Sequence, residues 1–354
     1  MSGPPKPRLA VVLFNLGGPD RLESVQPFLF NLFNDPAIIG LPNPFRFALA
    51  KLISTTRRKE ASHNYAHMGG ASPLLKETEA QAKALARLLA DRLEGYDAQV
   101  FIAMRYWHPF TEEAAKAVEA FRPDEVVLLP LYPHFSTTTT GSSLKAWNKA
   151  YTGPGRVRTA CCYYDEPGFI AAHARKIRET FEAAGRPENI RLLFSAHGLP
   201  EKIILAGDPY QWQVEQTCAA VMAELGEDWD WQVCFQSRVG PMKWIGPSTP
   251  DAITQAGADG KGILITPIAF VSEHVETLVE LDRDYFELAE VVGCPTYLRV
   301  PALGVDTGLI EGLAKTLSRT LDSDLVHGCV APGASACTED FSKCVYRNGL
   351  KAAV

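Results

Sequence analysis

The sequence predicts an α/β protein of two similar doubly wound, Rossmann-like domains, each built on a parallel four-stranded sheet, with strand ends facing a central cleft. Three observations predict this class. Short apolar runs of strand length alternate with longer segments of helical period along nearly the whole chain. Those runs are apolar throughout and bounded by breakers, the pattern of parallel strands buried on both faces. The two halves also repeat one order of strand endings: LFNLGGP is matched by LFSAHGLP, IAMRYWHP by CFQSRVGP, LLPLYPHFS by ITPIAFVSEHVE, and CCYYDEP by YLRVPALG.

The first run, Leu9 to Phe14, stops at Asn15 and Gly17. It is too short to span a bilayer and lacks a signal-peptide cleavage pattern, so it reads as the first strand of a cytoplasmic protein. Further strands are expected at Gln99 to Met104, Val126 to Leu131, Val157 to Tyr163, Ile190 to Ser195, Gln232 to Phe235, Gly262 to Thr266 and Thr296 to Val300. Helical patterns at Glu77 to Leu93, Thr111 to Phe121, Gly168 to Ala184, Pro209 to Leu225 and His274 to Val292 supply right-handed crossovers between them. The expected division is 1–165, 166–326 and a cysteine-containing extension, 327–354.

The halves differ in their first interval, where the N-terminal one carries an insertion at about 20–76. It combines Phe28, Phe30, Phe33, Ile38, Ile39, Phe45 and Phe47 with Arg46, Lys51, Arg57, Arg58 and Lys59. An apolar lip rimmed by cations suits anionic lipid or an apolar ligand that carries carboxylates. A helical hairpin packed on its own domain would show the same residues.

At 354 residues, with 46% hydrophobic and 21% charged residues, the chain is long enough for two buried cores and ordinary for a soluble protein. A net charge of -6 argues against nucleic-acid binding, which needs a basic face. Eight cysteines in a reducing compartment are not a disulfide framework; the cluster Cys329, Cys337 and Cys344 points to metal instead.

Three stretches carry chemistry. LLFSAHGLP ends a buried strand at His197, where ligands collect in doubly wound sheets, although a histidine satisfied in a turn is the bland alternative. In TPIAFVSEHVETLVELD a helix is expected to open at Ser272, with Glu276 and Glu280 on one face, as a proton or cation path requires; an acidic solvated face is the alternative. The Gly- and Pro-rich QSRVGPMKWIGPST carries Trp244, which could wall a flat apolar ligand or plug the core.

These motifs, in this order and with NLGGP, YAHMGGASP, RYWHP and YPHFSTTTTGSS before them, resemble the ferrochelatase family over nearly all of the chain to about Leu325. The resemblance implies a chelatase-type fold and insertion of Fe2+ into protoporphyrin IX, giving protohaem and two protons. It implies His197 facing the pyrrole nitrogens as proton acceptor, metal ligand or both. Glu276 would face it across the cleft as a second metal-site residue, with His274 beside it and Glu280 carrying protons outward. It places Phe270, Trp244, Leu32, Ile38 and Ile39 as apolar walls, and Arg57, Tyr65 and Ser72 on the propionates. Arg105 and Tyr106 match a pair near the metal route, also within the porphyrin site. For the tail it implies a [2Fe–2S] cluster on Cys329, Cys337, Cys344 and one internal cysteine, with zinc as the alternative; the position of the internal ligand in animal enzymes is Ala172 here, so Cys161 is expected to serve, or Cys162. Peripheral attachment to the inner membrane follows from the lip, and a homodimer is left open. The alternatives are a chelatase acting on coproporphyrin III or another metal and tetrapyrrole, and a non-catalytic haem or metal carrier.

Overall fold

The computed structural model describes residues 5–226, 228–323, 327–328, 337–338 and 340–346. Packing divides the chain into two compact units, one of residues 1–162, 313–330 and 345–354 and the other of 163–312 and 331–344. The first unit's main span ends at 162, where the sequence reading put its boundary at 165.

The first unit contains strands β1 (Arg8–Asn15), β2 (Asp97–Met104), β3 (Glu125–Pro130), β4 (Arg156–Ala160) and β9 (His327–Gly328). They form one parallel sheet in the order β2-β1-β3-β4-β9. In β1 every residue from Leu9 to Phe14 is at most 1% exposed, so both faces of this central strand are covered, as its unbroken apolar run requires. Val12 and Phe14 pack with Val126 and Leu128, and with Val118, Leu144 and Trp147. Those last three come from helices α4 (Thr111–Phe121) and α5 (Thr140–Ala150). The fifth strand, beyond the four expected, is two residues long and pairs with the β4 edge through Thr159 and Ala160.

Between β1 and β2 lie α1 (Val25–Phe33), α2 (Phe45–His67) and α3 (Leu74–Arg92). The first two pair as a hairpin, with the rings of Phe30 and Phe47 edge to face at 5.2 Å.

The second unit repeats the pattern with β5 (Ile190–His197), β6 (Asp230–Gln236), β7 (Gly262–Pro267) and β8 (Tyr297–Arg299), parallel in the order β6-β5-β7-β8. Its helices are α6 (Pro167–Ala183), α7 (Glu201–Leu205), α8 (Tyr210–Leu225), α9 (Thr249–Ala258) and α10 (Tyr285–Val291), with α11 (Thr307–Asp322) divided between the units. In both sheets the first strand lies between the second and the third, so the chain reverses its direction of travel there. That reversal leaves a crevice at the strand carboxyl ends.

One element departs from expectation. The helix read as His274 to Val292 opens at Glu276 and runs as a π-helix over Glu276–Asp284 before α10 continues it. Ser272 does not cap it; the His274 backbone N–H donates to Thr277 Oγ1 at 2.9 Å instead. A π-helix accommodates one extra residue per turn, and such turns concentrate at functional sites.

Candidate active site

His197 is the last residue of β5, at the crevice beside β7. The next position must be glycine, because a Cβ at Gly198 would come within 2.9 Å of Gln236 O and 3.3 Å of Trp244 Cε3. This close approach brings the end of β6 and the Trp244 loop against the histidine. The Tyr210 hydroxyl donates to His197 O at 3.0 Å and fixes the backbone.

Glu276 does not stand across a cleft from His197: its Oε2 is 2.7 Å from His197 Nδ1. That contact selects a tautomer. A carboxylate accepts only, so the neutral ring carries its proton on Nδ1 and leaves the Nε2 lone pair free. Withdrawal from solvent acts to lower the His197 pKa, but the charge and hydrogen bond of Glu276 outweigh it and raise the value above 6.5. Burial likewise acts to raise Glu276, yet His197, and after it His274 and Ser237, hold it down at about 2.

Glu280, one turn on, has no such cation. Burial first, and the Glu276 charge second, push it up to about 7. Ser237 sits between the two carboxylates, its Oγ 3.1 Å from Glu276 Oε2 and 2.9 and 2.7 Å from the oxygens of Glu280. Its φ of +63° is in the left-handed region, a conformation that costs a non-glycine residue on the order of 1 kcal/mol or more and is kept only where the surroundings enforce it. Gln236, fully buried, accepts from Ser195 Oγ at 2.7 Å and donates to Glu276 O at 2.9 Å and Glu280 Oε2 at 3.2 Å. The Tyr285 hydroxyl lies 3.3 Å beyond Glu280 Oε2.

His274 is buried, which lowers its pKa; Nδ1 faces Ser272 O at 3.2 Å and Nε2 lies 4.0 Å from Glu276 Oε1. Glu276 is therefore flanked by an imidazole on each oxygen. The Phe270 ring lies 4.6 Å from that of His274, tilted by 51°, and Trp244 lies against Gly198, so both expected apolar walls of this unit adjoin the titratable row. The arrangement can take a proton at His197 Nε2 and hand one from Nδ1 through Glu276 and Ser237 to Glu280.

In the first unit, Ile38 and Ile39 follow a turn organised by Asp35, whose carbonyl accepts from both of their backbone N–H groups at 3.0 and 2.9 Å. The Asp35 side chain is buried. It accepts from Ala37 N at 2.8 Å, Arg105 Nη2 at 2.7 Å, Tyr106 OH at 2.9 Å and Ser142 Oγ. Arg105 Nε also donates to Ser142 Oγ at 2.7 Å. Arg105 and Tyr106, expected to meet the porphyrin or its metal, are thus committed to Asp35, and Tyr106 is 1% exposed. Arg57 makes no hydrogen bond or ion pair among the described residues and is available to a carboxylate; Tyr65 on the same helix is buried. Ser72 holds the NLGGP turn by donating its N–H to Pro19 O at 2.8 Å, and a Cβ at Gly18 would meet its Oγ at 2.4 Å.

Of the cysteines, Cys161 and Cys162 are buried just past β4, and Cys337 and Cys344 are buried in the second unit; Cys329 lies outside the described residues. Gln213 Nε2 donates to Cys337 Sγ at 3.2 Å. No group of three or more His, Cys, Asp or Glu side chains converges to hold a metal among the described residues. Sequence reasoning missed Ser237, Gln236 and Asp35. The first two sit inside a quoted motif as ordinary polar loop residues, and only Asp35, between Asn34 and Pro36, carried a turn signal.

The family described as Ferrochelatase matches residues 8–321. The ferrochelatase of Caulobacter vibrioides is 62% identical over 346 residues, covering 98% of this chain and 99% of its own length. That of Phenylobacterium zucineum is 60% identical over 342 residues, 97% of this chain and 99% of its own. Among solved structures, CbiX, described as the terminal enzyme for biosynthesis of siroheme in denitrifying bacteria, superposes with a TM-score of 0.50 at 15% identity, over 88% of this chain and 98% of that one. At that identity the likeness speaks for the fold.

Proposed function

The chain belongs to the ferrochelatase family, and from that premise we propose that it inserts Fe2+ into protoporphyrin IX, giving protohaem and two protons, with His197 Nε2 as the first proton acceptor. The observation that carries the role of His197 is the 2.7 Å contact between its Nδ1 and Glu276. A planar porphyrin turns two N–H groups toward its centre, and metal enters only as these protons leave. Neutral imidazole accepts the first at Nε2, and the imidazolium so formed lies against a carboxylate held ionised to far below neutrality. Its Nδ1 proton then passes to Glu276 and, by way of Ser237, to Glu280, whose pKa of about 7 suits a group that both takes and releases a proton near neutral pH. The ring is then neutral with its proton on Nε2; as Nε2 loses that proton to solvent and Nδ1 regains one through Glu276, the first tautomer is restored and the second pyrrole proton follows the same route. Phe270, against His274, and Trp244, against Gly198, wall the macrocycle.

Anaerobic mixing with Fe2+ and either protoporphyrin IX or coproporphyrin III, followed by absorbance, tests the reading. Protoporphyrin should be metallated, and faster. Preference for the four-carboxylate substrate would favour the coproporphyrin alternative, and tight haem binding without turnover would favour a carrier.

We also propose that the hairpin of α1 and α2 rests on a membrane surface. Phe45, Phe47 and Leu52 are 67%, 53% and 59% exposed, and the cationic Arg46, Lys51 and Arg58 lie among them on α2. Among the described residues no helix is long and apolar enough to cross a membrane.

For the tail, we propose a [2Fe–2S] cluster on Cys329, Cys337 and Cys344 with one further cysteine; Cys161 does not converge with Cys337 and Cys344 among the described residues. Two features support it: Cys337 and Cys344 are fully buried, and the Gln213 N–H is aimed at the Cys337 sulfur, as hydrogen bonds to thiolate ligands are. Ligation would contribute folding free energy to a tail that has few large apolar side chains of its own. Anaerobically purified protein should be red-brown with equal iron and acid-labile sulfide, and serine at Cys337 should bleach it; stoichiometric zinc in colourless protein would replace the cluster by a zinc site.

A further inference from the structure

We propose that His63 and His67 form a two-imidazole site on the surface of the first unit, specific for a divalent first-row transition metal. The residues stand one turn apart on α2, so both rings leave the same face of the helix. Their rings meet edge to face, 4.5 Å between centroids and 87° between planes, and the two Nε2 atoms converge to 3.0 Å. That separation has a chemical meaning. Two nitrogens bound to one metal at about 2.1 Å each, at right angles, are about 3.0 Å apart. A cation bound by both nitrogens replaces the single proton that the two neutral rings otherwise share, at an unchanged nitrogen–nitrogen separation.

The setting favours a dication. Both histidines are exposed, so the ion enters from solvent and completes its shell with water. Neither ring makes an ion pair with a carboxylate among the described residues, so no internal partner has to be displaced. His67 is the last residue of α2, where the carbonyl end of the helix dipole attracts positive charge. Lys59 stands one turn before His63, and Arg57 and Arg58 under two turns before it; these exposed or half-exposed cations oppose the ion in part, through solvent that screens them. Imidazole nitrogen selects ferrous iron, cobalt, nickel, copper and zinc over magnesium and calcium, which take oxygen. The site therefore accepts the class of ion that the enzyme consumes while being distinct from the His197 and Glu276 row, and it does not depend on the catalytic assignment. Because ligation needs both rings neutral, the site strengthens as pH rises.

Cobalt(II) is the probe. With the full chain, equilibrium dialysis should find one Co2+ more on the wild type than on His63→Gln or His67→Gln, each of which lowers affinity at this site by at least about tenfold, since losing a ligand costs no less than disturbing a ligand's support. Saturating Co2+ should also slow modification of His63 and His67 by diethyl pyrocarbonate, read by peptide mass spectrometry, while leaving exposed His108 unchanged. Because the side chains are exposed, both variants keep the metal-free melting temperature, and a lost site is then not a folding defect. Equal cobalt stoichiometry and affinity in wild type and both variants, or no protection of the two rings, overturns the site; its failure leaves iron insertion untouched, and failure of iron insertion leaves the dialysis result standing.

Discussion

Replacing Ser237 by alanine removes the hydroxyl that touches both buried carboxylates, and its effect can be worked from the contacts. Ser237 donates within 2.7 to 3.1 Å of Glu276 and Glu280, and it acts to lower the pKa of each. A hydrogen bond to a charged group contributes about 1.5–3 kcal/mol, equivalent to a pKa rise of roughly one to two units when it is lost. Glu276 has room for such a rise, since it remains ionised far above about 2. Glu280 does not: from about 7 it moves to about 8 or higher. The sign for turnover follows. Only ionised Glu280 can receive a proton from Glu276, so activity falls as pH drops through its pKa, and raising the pKa moves this acid limb to higher pH. Single-turnover metallation measured from pH 6 to 9.5 should show the limb shifted upward by at least about one unit, a loss of at least about fivefold at pH 7, and recovery toward wild-type rate at the alkaline end. Ser237→Gly removes the hydroxyl but relieves the left-handed backbone, so it should show the same shift in a more stable protein. A loss independent of pH, or a shift in alanine but not in glycine, would refute the relay through this hydroxyl.

Other substitutions probe neighbouring parts of the site. His197→Ala should reduce metallation by at least ~10²–10⁴-fold while equilibrium porphyrin binding, read by fluorescence quenching, stays close to wild type; near-normal turnover would remove His197 from the mechanism. Asp35→Ala strands the Arg105 guanidinium, so thermal unfolding should show a loss of about 3–5 kcal/mol, and the Michaelis constant for porphyrin should rise as the Ile38 and Ile39 turn loosens; an unchanged melting temperature would mean that the cluster anchors nothing. Changing Ile38, Ile39 and Phe45 together to serine should shift the protein out of the fraction that floats with anionic vesicles, and unchanged flotation would return the lip to ordinary packing.

The strands' positions were legible because a parallel strand buried on both faces is apolar along its middle, as Leu9 to Phe14 in β1 and Leu192 to Phe194 in β5 are. His197 was legible because a histidine between such a run and a Gly-Pro turn has few other places to be. β4 was read three residues too long, since Cys161 to Tyr163 are as buried as the strand although it ends at Ala160. Helix α5 went unread because TTTTGSS is turn-like and β-branched; Leu144 and Trp147 hold it in the core despite that local preference. The winding of Glu276–Asp284 could not be read, because carboxylates at i and i+4 fit an α-helix as well as a wider turn. Nor could the commitment of Arg105: a cation at a strand end looks available until its partner, 70 residues away in sequence, is seen beside it.

The wide winding at Glu276–Asp284 changes what an insertion or deletion means here. Losing one residue from an α-helix normally turns everything beyond it onto the wrong face. Within this segment, a one-residue deletion would instead let the backbone settle into ordinary α winding. The cost would fall on the chemistry: Glu276 and Glu280 would no longer both reach Ser237. Natural drift toward a more regular helix and retention of the paired carboxylates therefore pull against each other at this one place. The extra residue is a standing departure from the most stable backbone, and with it both carboxylates reach the Ser237 hydroxyl.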